Sequence, residues 1–230
     1  MTNELAYDEH SVSGGVEGTY PVQQVLFGGL AIQFDDRVLE PRQWTTHQSF
    51  WAAQLMVGAP AGPVLELCAG AGQIGLLALT LSDRAGVLVD ADPIACGYAR
   101  GNTERAQMAD RVEVRNARAE QALTPADRFA VAIIDPPWVP SSGTDRFPAD
   151  PLFAIDGGPA GLDVAAECLR AVNAHLLPGG SVLIQLGTAE QLTQLLADVE
   201  DDAVWQVQRV WRQDQGRGVV AHLQRHQNLA

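Results

Sequence analysis

Residues 64–75 read VLELCAGAGQIG, and this stretch decides the fold. Val64 to Leu67 suit a strand. Gly70 and Gly72 then permit a sharp turn and a close backbone approach to a ligand. The residues that follow suit a helix whose first amide hydrogens remain free to bind it. Strand, glycine loop and helix in that order open a nucleotide-binding α/β sheet. Glu66 departs from the dinucleotide version of this unit. A carboxylate just before the loop repels a pyrophosphate but can pair with a ligand ammonium group. The next strand ends in VLVDADP. There Asp90 offers two acceptors to a pair of ribose hydroxyls at the carboxyl edge of the sheet. Asp92, directly before Pro93, suits a helix cap.

Working outward, strands are expected at Val64–Leu67, Gly86–Asp90, Val112–Arg115, Phe129–Ile134 and Ser181–Leu186. Several are nearly continuous apolar runs, as in a parallel sheet covered on both faces. Helices are expected between them, near Ile74–Leu81, Pro93–Met108, Ala119–Leu123 and Gly161–Leu177, with Pro178-Gly179-Gly180 stopping the last. A further helix is expected over Ala189–Val199. Ala203–Trp211 and Gly218–His222, joined by Gln213–Gly216, read as a terminal antiparallel hairpin. On it Trp205 and Trp211 share one side of an alternating strand. Before the sheet, Val22–Phe34 reads as a hairpin turning at Gly28-Gly29, followed by a helix over Thr46–Met56 that Thr45 or Thr46 caps and whose apolar positions include Phe50, Leu55 and Met56.

The 230 residues carry 28 acidic and 15 basic side chains, a formal net charge of -13. That balance argues against broad nucleic-acid binding, which needs a basic face. The first residues are polar and acidic, without the basic-then-apolar order of a secretory signal, so no targeting segment is expected, and no apolar run is long enough to span a membrane. Cys68, Cys96 and Cys168 form no CxxC pair and lie far apart in the chain. They are expected to be free thiols in a reducing cytoplasm, without a metal site.

The fourth expected strand leads into a functional motif. Phe129–Ile134 delivers Asp135-Pro136-Pro137-Trp138 to the carboxyl edge of the sheet. Two prolines stiffen this loop and remove two amide donors. Asp135 and the Pro136 carbonyl supply acceptors, and Trp138 supplies a flat apolar wall. Such a pocket suits a nitrogen nucleophile with hydrogens to donate, its lone pair turned toward an electrophile.

The paired motifs VLELCAGAGQIG and VLVDADPIACGYARGN resemble those of the class I S-adenosylmethionine-dependent methyltransferases. The resemblance implies a Rossmann-like mixed seven-stranded sheet ending in an antiparallel hairpin, here with a short N-terminal hairpin and helix. It implies S-adenosyl-L-methionine as cofactor, with Glu66, Cys68, Gly70 and Gly72 around its methionine part. Asp90 would hold the ribose, Asn116 and Ala117 would lie at the adenine, and Asp135 would stand beside the methyl group. DPPW resembles the (Asp/Asn)-Pro-Pro-aromatic motif of nitrogen methyltransferases, making Asp135, Pro136 and Trp138 the catalytic candidates. VLEPRQWT (38–45), DPPWVP (135–140), DPLFAIDGGPAGLD (150–163) and LLPGGSVLIQLGTAEQ (176–191) extend the resemblance, in one order, to the release-factor glutamine methyltransferase family.

Asp135 stands where the glutamine enzymes have asparagine. Thr46, Asp150, Ala160 and Gln185 also depart from that pattern, and only about 20 residues precede the first hairpin, where the family carries a helical recognition domain. These departures make a small-molecule amine, amide or guanidinium the first expectation for the acceptor, with a protein or peptide glutamine as the alternative. Nucleic acid and membrane are disfavoured as partners, and a monomer or homodimer is expected. A non-catalytic cofactor-binding scaffold is the remaining alternative. Residues 1–18 are expected as a flexible segment, 19–62 as an appendage and 63–230 as the methyltransferase domain. Arg42, Trp44, His47 and Arg146 are secondary candidates for the substrate entrance, with Gly157, Gly158 and Gly161 shaping a close backbone approach.

Overall fold

The structure is a computed structural model and describes residues 19–199, 205–212 and 218–225. The segment 1–18, the start of the strand expected from Ala203 and the Gln213–Gly216 turn lie outside the described residues.

Strands β1 (Gln23–Phe27) and β2 (Leu30–Phe34) form the expected hairpin. Gly28 and Gly29 take φ of 57° and 94° at its turn, a region that glycine enters without a Cβ penalty. Helix α1 (Thr46–Gly58) follows a 3-10 turn at Gln43–Thr45. Neither threonine caps it: their hydroxyls donate back to the carbonyls of Arg42 and Gln43. Phe50, expected among the apolar positions, is exposed, while Trp51 and Met56 are buried.

The main sheet contains β3 (Val64–Leu67), β4 (Gly86–Asp90), β5 (Val112–Asn116), β6 (Phe129–Ile134), β7 (Leu176–Leu186), β8 (Trp205–Arg212) and β9 (Val219–Arg225). Their order across the sheet is β5-β4-β3-β6-β7-β9-β8, and β9 runs against its neighbours. Helices α2 (Gln73–Leu79), α3 (Pro93–Arg105), α4 (Ala119–Ala122), α5 (Leu152–Ile155), α6 (Asp163–His175) and α7 (Ala189–Asp198) complete the fold.

Alternation along the strands divides the core into two layers. On β6, Val131 and Ile133 face α1, α2 and the hairpin, joining Ile32, Met56, Ile74 and Leu76. Ala132 and Ile134 face α6, joining Leu169 and Val172. Each fully buried leucine or isoleucine contributes roughly 1.5–3 kcal/mol relative to exposure. Two arginines brace the opposite, amino edge of the sheet. Arg84 donates to the carbonyls of Met56, Ala59, Pro60 and Gly62, and Arg111 to those of Leu79, Ser82 and Arg84.

Two expectations change. Helix α6 stops at His175, and Leu176 already pairs with Phe129. Pro178-Gly179-Gly180 is therefore an irregularity inside β7, bulging before Ser181 pairs with Val131, rather than the stop before it. In β8 the pairing skips Gln208, because Val207 opposes Leu223 while Arg209 opposes His222. One extra residue reverses the side-chain parity. Trp205 consequently joins the α6–α7 layer, while Trp211 joins the α1 layer, where its ring stacks on His47 at 3.6 Å.

Candidate active site

Strand order reverses at β3: β4 and β5 continue to one side and β6 begins the other. In a parallel sheet the crevice at such a point, beyond the carboxyl ends of the strands, is where ligands bind. Leu67 pairs with Ile134, so Cys68 and Asp135 leave adjacent strands side by side. Leu67 also pairs with Val89, which brings Asp90 to the same edge.

A cavity of about 790 Å³ lies over this edge, lined among others by Cys68, Gly70, Gln73, Asp90, Asp92, Ala117 and Asp135. Asp90 is fixed by two backbone donors: Asp92 N–H to Oδ1 at 2.9 Å and Gly70 N–H to Oδ2 at 2.7 Å. A carboxylate has about four acceptor sites, so each oxygen retains one for a ligand hydroxyl. Burial pushes the Asp90 pKa up, and the two amides oppose that shift. Asp92 caps α3, accepting from Ile94 N–H at 2.9 Å, as expected.

Glu66 occupies a different place from the one expected. It is 1% exposed and lies beneath the loop, not in the cavity wall. A Cβ on Gly75 would stand 2.3 Å from its Oε2. Burial pushes its pKa well up, the Gly75 amide relieves this in part without completing a hydrogen bond, and both oxygens lack partners among the described residues. Gly72 also lies outside the cavity wall: it precedes α2 with φ 81°, against Leu88. Asn116 also lies outside the wall, its Nδ2 donating to the Asp90 carbonyl at 3.0 Å, while Ala117 lines the cavity.

A second cavity of about 390 Å³ adjoins the first, lined by Arg42, Trp44, Pro136, Trp138, Phe147 and Gln185 among others. Leu39, Gln73, Asp135, Pro137 and Ala154 line both. Asp135 therefore stands where the two spaces meet. Its half-buried side chain faces cavity space, and desolvation raises its pKa from 3.8 to about 7.

The loop after Asp135 is held from behind. Gln191 Nε2 donates to the carbonyls of Trp138 and Ala160 at 2.9 and 3.0 Å, while its Oε1 accepts from Gly187 N–H. Gly161 is required here: at φ 73° a Cβ would lie 2.2 Å from the Trp138 carbonyl oxygen. Asp156 accepts from Ser141 Oγ and Gly158 N–H, folding 139–158 across the site. Arg42 pairs with Asp150 at 2.5 Å on the rim. Of the secondary candidates, Arg42 and Trp44 reach the second cavity, whereas His47 stacks on Trp211 and Arg146 is absent from both walls.

Sequence reasoning missed Gln73, whose Oε1 is buried without a partner at the junction. A polar residue opening the otherwise apolar helix QIGLLAL was the available signal. It also missed Arg37, Val38 and Leu39, which reach the first cavity because buried Asp35 is bound by Arg37 and by the Tyr98 hydroxyl. The Arg37 bond holds the Asp35 pKa down at about 2. Among the described residues no cluster of three metal-ligating side chains occurs, and no helix is long and apolar enough to cross a membrane.

Residues 49–145 match the family model described as conserved hypothetical protein 95. A release factor glutamine methyltransferase of Rhodopirellula baltica is 29% identical, the match covering 72% of this chain and 61% of that protein. A ribosomal protein uL3 glutamine methyltransferase of Bradyrhizobium diazoefficiens is 30% identical over 75% of this chain and 58% of that one. Among solved structures, a ribosomal protein L11 methylase from Lactobacillus delbrueckii subsp. bulgaricus superposes with a TM-score of 0.59 at 12% identity, covering 82% of this chain and 81% of that one. The chain has the fold of the class I S-adenosylmethionine-dependent methyltransferases and is similar in sequence to glutamine-modifying members of that class. It spans about three-fifths of the length of these curated relatives.

The residues present fit this methyltransferase cofactor. Asp90 retains two free acceptor positions, a Cβ on Gly70 would meet nothing closer than 3.9 Å, and the cavity has the size of a nucleoside site. Its acidic wall, with Asp90, Asp92, Asp135 and Asp163, favours a cation.

Proposed function

We propose that this chain transfers a methyl group from S-adenosylmethionine to the side-chain amide nitrogen of a protein glutamine. The observation that carries the reading is the meeting of the two cavities at Asp135 within Asp135-Pro136-Pro137-Trp138. The glutamine methyltransferases among the relatives support the amide acceptor ahead of the small molecule that the sequence alone favoured.

The cofactor, when bound, supplies a methyl group on a sulfonium, electrophilic without a metal. The protein's part is positioning. Asp90 would hold the ribose, and Ala117 would lie at the adenine side. Asp135 and the Pro136 carbonyl accept the acceptor's N–H bonds, turning the nitrogen lone pair toward the first cavity. Trp138 and Trp44 wall the acceptor and exclude water. Held within reacting distance, such a pair gains much of its rate from orientation.

The aspartate at this position is compatible with a neutral amide. With a pKa near 7, Asp135 carries its proton for much of the time at neutral pH. A protonated carboxyl both donates and accepts, as asparagine does, and an ionised one still accepts from N–H. A small amine or guanidinium is the second reading, favoured by the modest volume of the acceptor cavity and the acid at its base.

Asp135→Asn separates the two. On a glutamine amide the variant should keep turnover within about threefold of the parent. On a cationic acceptor, loss of a charge-assisted hydrogen bond of roughly 1.5–3 kcal/mol should cost about 10- to 100-fold. Steady-state methyl transfer by both proteins, on release factor and uL3 and on small amines and guanidines, decides the matter.

A further inference from the structure

Two of the three cysteines, separated in sequence, are not separated in space. Cys68 Sγ and Cys168 Sγ lie 3.7 Å apart across 100 residues of chain. Cys68 is the first residue after β3 and part of the glycine loop, and Cys168 sits mid-way along α6. Both line the cofactor cavity. Cys68 is half-buried and reachable from that cavity, whereas Cys168 is 1% exposed behind it. The backbone of Cys68 is itself unusual, with φ 59°, a left-handed conformation rare outside glycine. The proposed methyl transfer uses neither thiol.

We propose that Cys68 and Cys168 form a peroxide-sensitive pair whose disulfide closes the cofactor cavity. The exposed member reacts first. The Cys68 sulfur attacks one oxygen of hydrogen peroxide, the O–O bond breaks, and one water leaves as Cys68 becomes a sulfenic acid. The Cys168 sulfur then attacks the Cys68 sulfur, the S–O bond breaks, and a second water leaves. Two thiols lose two electrons and two protons, and one peroxide becomes two waters.

The disulfide has structural consequences at the cofactor. Bonded sulfurs lie about 2.05 Å apart, so the pair must close by about 1.7 Å. That movement pulls the glycine loop toward α6. The same loop presents the Gly70 N–H that fixes Asp90 at 2.7 Å. Displacing it misaligns the ribose acceptor and narrows the space the ligand occupies. By linkage, a bound ligand must oppose the disulfide as much as the disulfide opposes the ligand. The neighbouring Cys168 thiol and burial both push the Cys68 thiol pKa up, which makes the oxidation slow.

The test treats the full chain with hydrogen peroxide, with and without S-adenosylhomocysteine, then maps disulfides by peptide mass spectrometry and measures ligand affinity by calorimetry. The expected product links Cys68 to Cys168 and leaves Cys96 free. It forms at least several-fold more slowly with ligand present, and the oxidised protein binds S-adenosylhomocysteine at least tenfold more weakly. Dithiothreitol restores the affinity. In Cys168→Ser no intramolecular disulfide forms at Cys68, and affinity no longer drops tenfold reversibly. The mapping on the parent protein decides the chemistry even where that variant folds poorly. A product lacking the Cys68–Cys168 link, or a linked product with unchanged affinity, overturns the proposal.

Discussion

Asp135→Asn in the cofactor-free protein should change how stability depends on pH. Asp135 titrates near 7 in the folded chain against an ordinary value of 3.8. Between those values the folded state holds a proton that the unfolded state has released. Stability therefore falls as pH rises through that window and levels off above about 7. The full displacement corresponds to up to about 4 kcal/mol, and to less where cavity water solvates the carboxylate. Asparagine has no charge to bury and lacks this dependence. Glu66 and Asp90 are displaced in the same direction but contribute to both proteins. The stability difference between variant and parent isolates Asp135. Urea unfolding at a series of pH values should show the variant gaining on the parent by about 2–4 kcal/mol between pH 4 and 8. A constant difference across that range would refute the argument that partial burial raises the Asp135 pKa.

Other perturbations follow from the same contacts. Asp90→Ala should weaken S-adenosylhomocysteine binding by roughly 1–3 kcal/mol, measured by calorimetry, through lost charge-assisted hydrogen bonds; unchanged affinity removes Asp90 from the ribose. Gln191→Ala removes both donors that hold the Trp138 and Ala160 carbonyls and should lower turnover by about tenfold or more with cofactor affinity retained. Equal losses in both would place Gln191 in the general stability of the fold. Arg84→Ala strips four carbonyls of one guanidinium and should destabilise the chain by about 2–4 kcal/mol in urea unfolding. A change below about 0.5 kcal/mol would show those bonds to be replaced by water.

Much of this molecule was legible from local pattern. Strands β3, β4 and β6 begin and end where their apolar runs and glycine or proline boundaries place them, because parallel strands covered on both faces leave such a continuous trace. The placement of Asp90 and Asp135 at the carboxyl edge of the sheet was legible because each directly follows or ends such a strand. What the pattern could not carry depends on single-residue irregularities and long-range contacts. The skipped Gln208 turns Trp205 and Trp211 to opposite faces, and an alternating string of residues gives no sign of it. The helix-to-strand junction at Leu176 depends on pairing with Phe129 from another element. Glu66 was placed at the ligand because its sequence position allows it, but the approach of Gly75 seals it under α2. The Cys68–Cys168 contact and the Gln191 brace likewise join segments that sequence spacing holds apart.

The most direct measurement of the account is the position of the transferred methyl group. Purified protein, S-adenosylmethionine carrying a deuterated methyl, and release factor or ribosomal protein uL3 would be incubated together, and the product digested for fragmentation mass spectrometry. One labelled methyl is expected on the side-chain nitrogen of a glutamine, and at cofactor concentrations below saturation its yield should fall when Asp90→Ala weakens cofactor binding. Label on a small amine or guanidine, with both proteins unmodified, would contradict it.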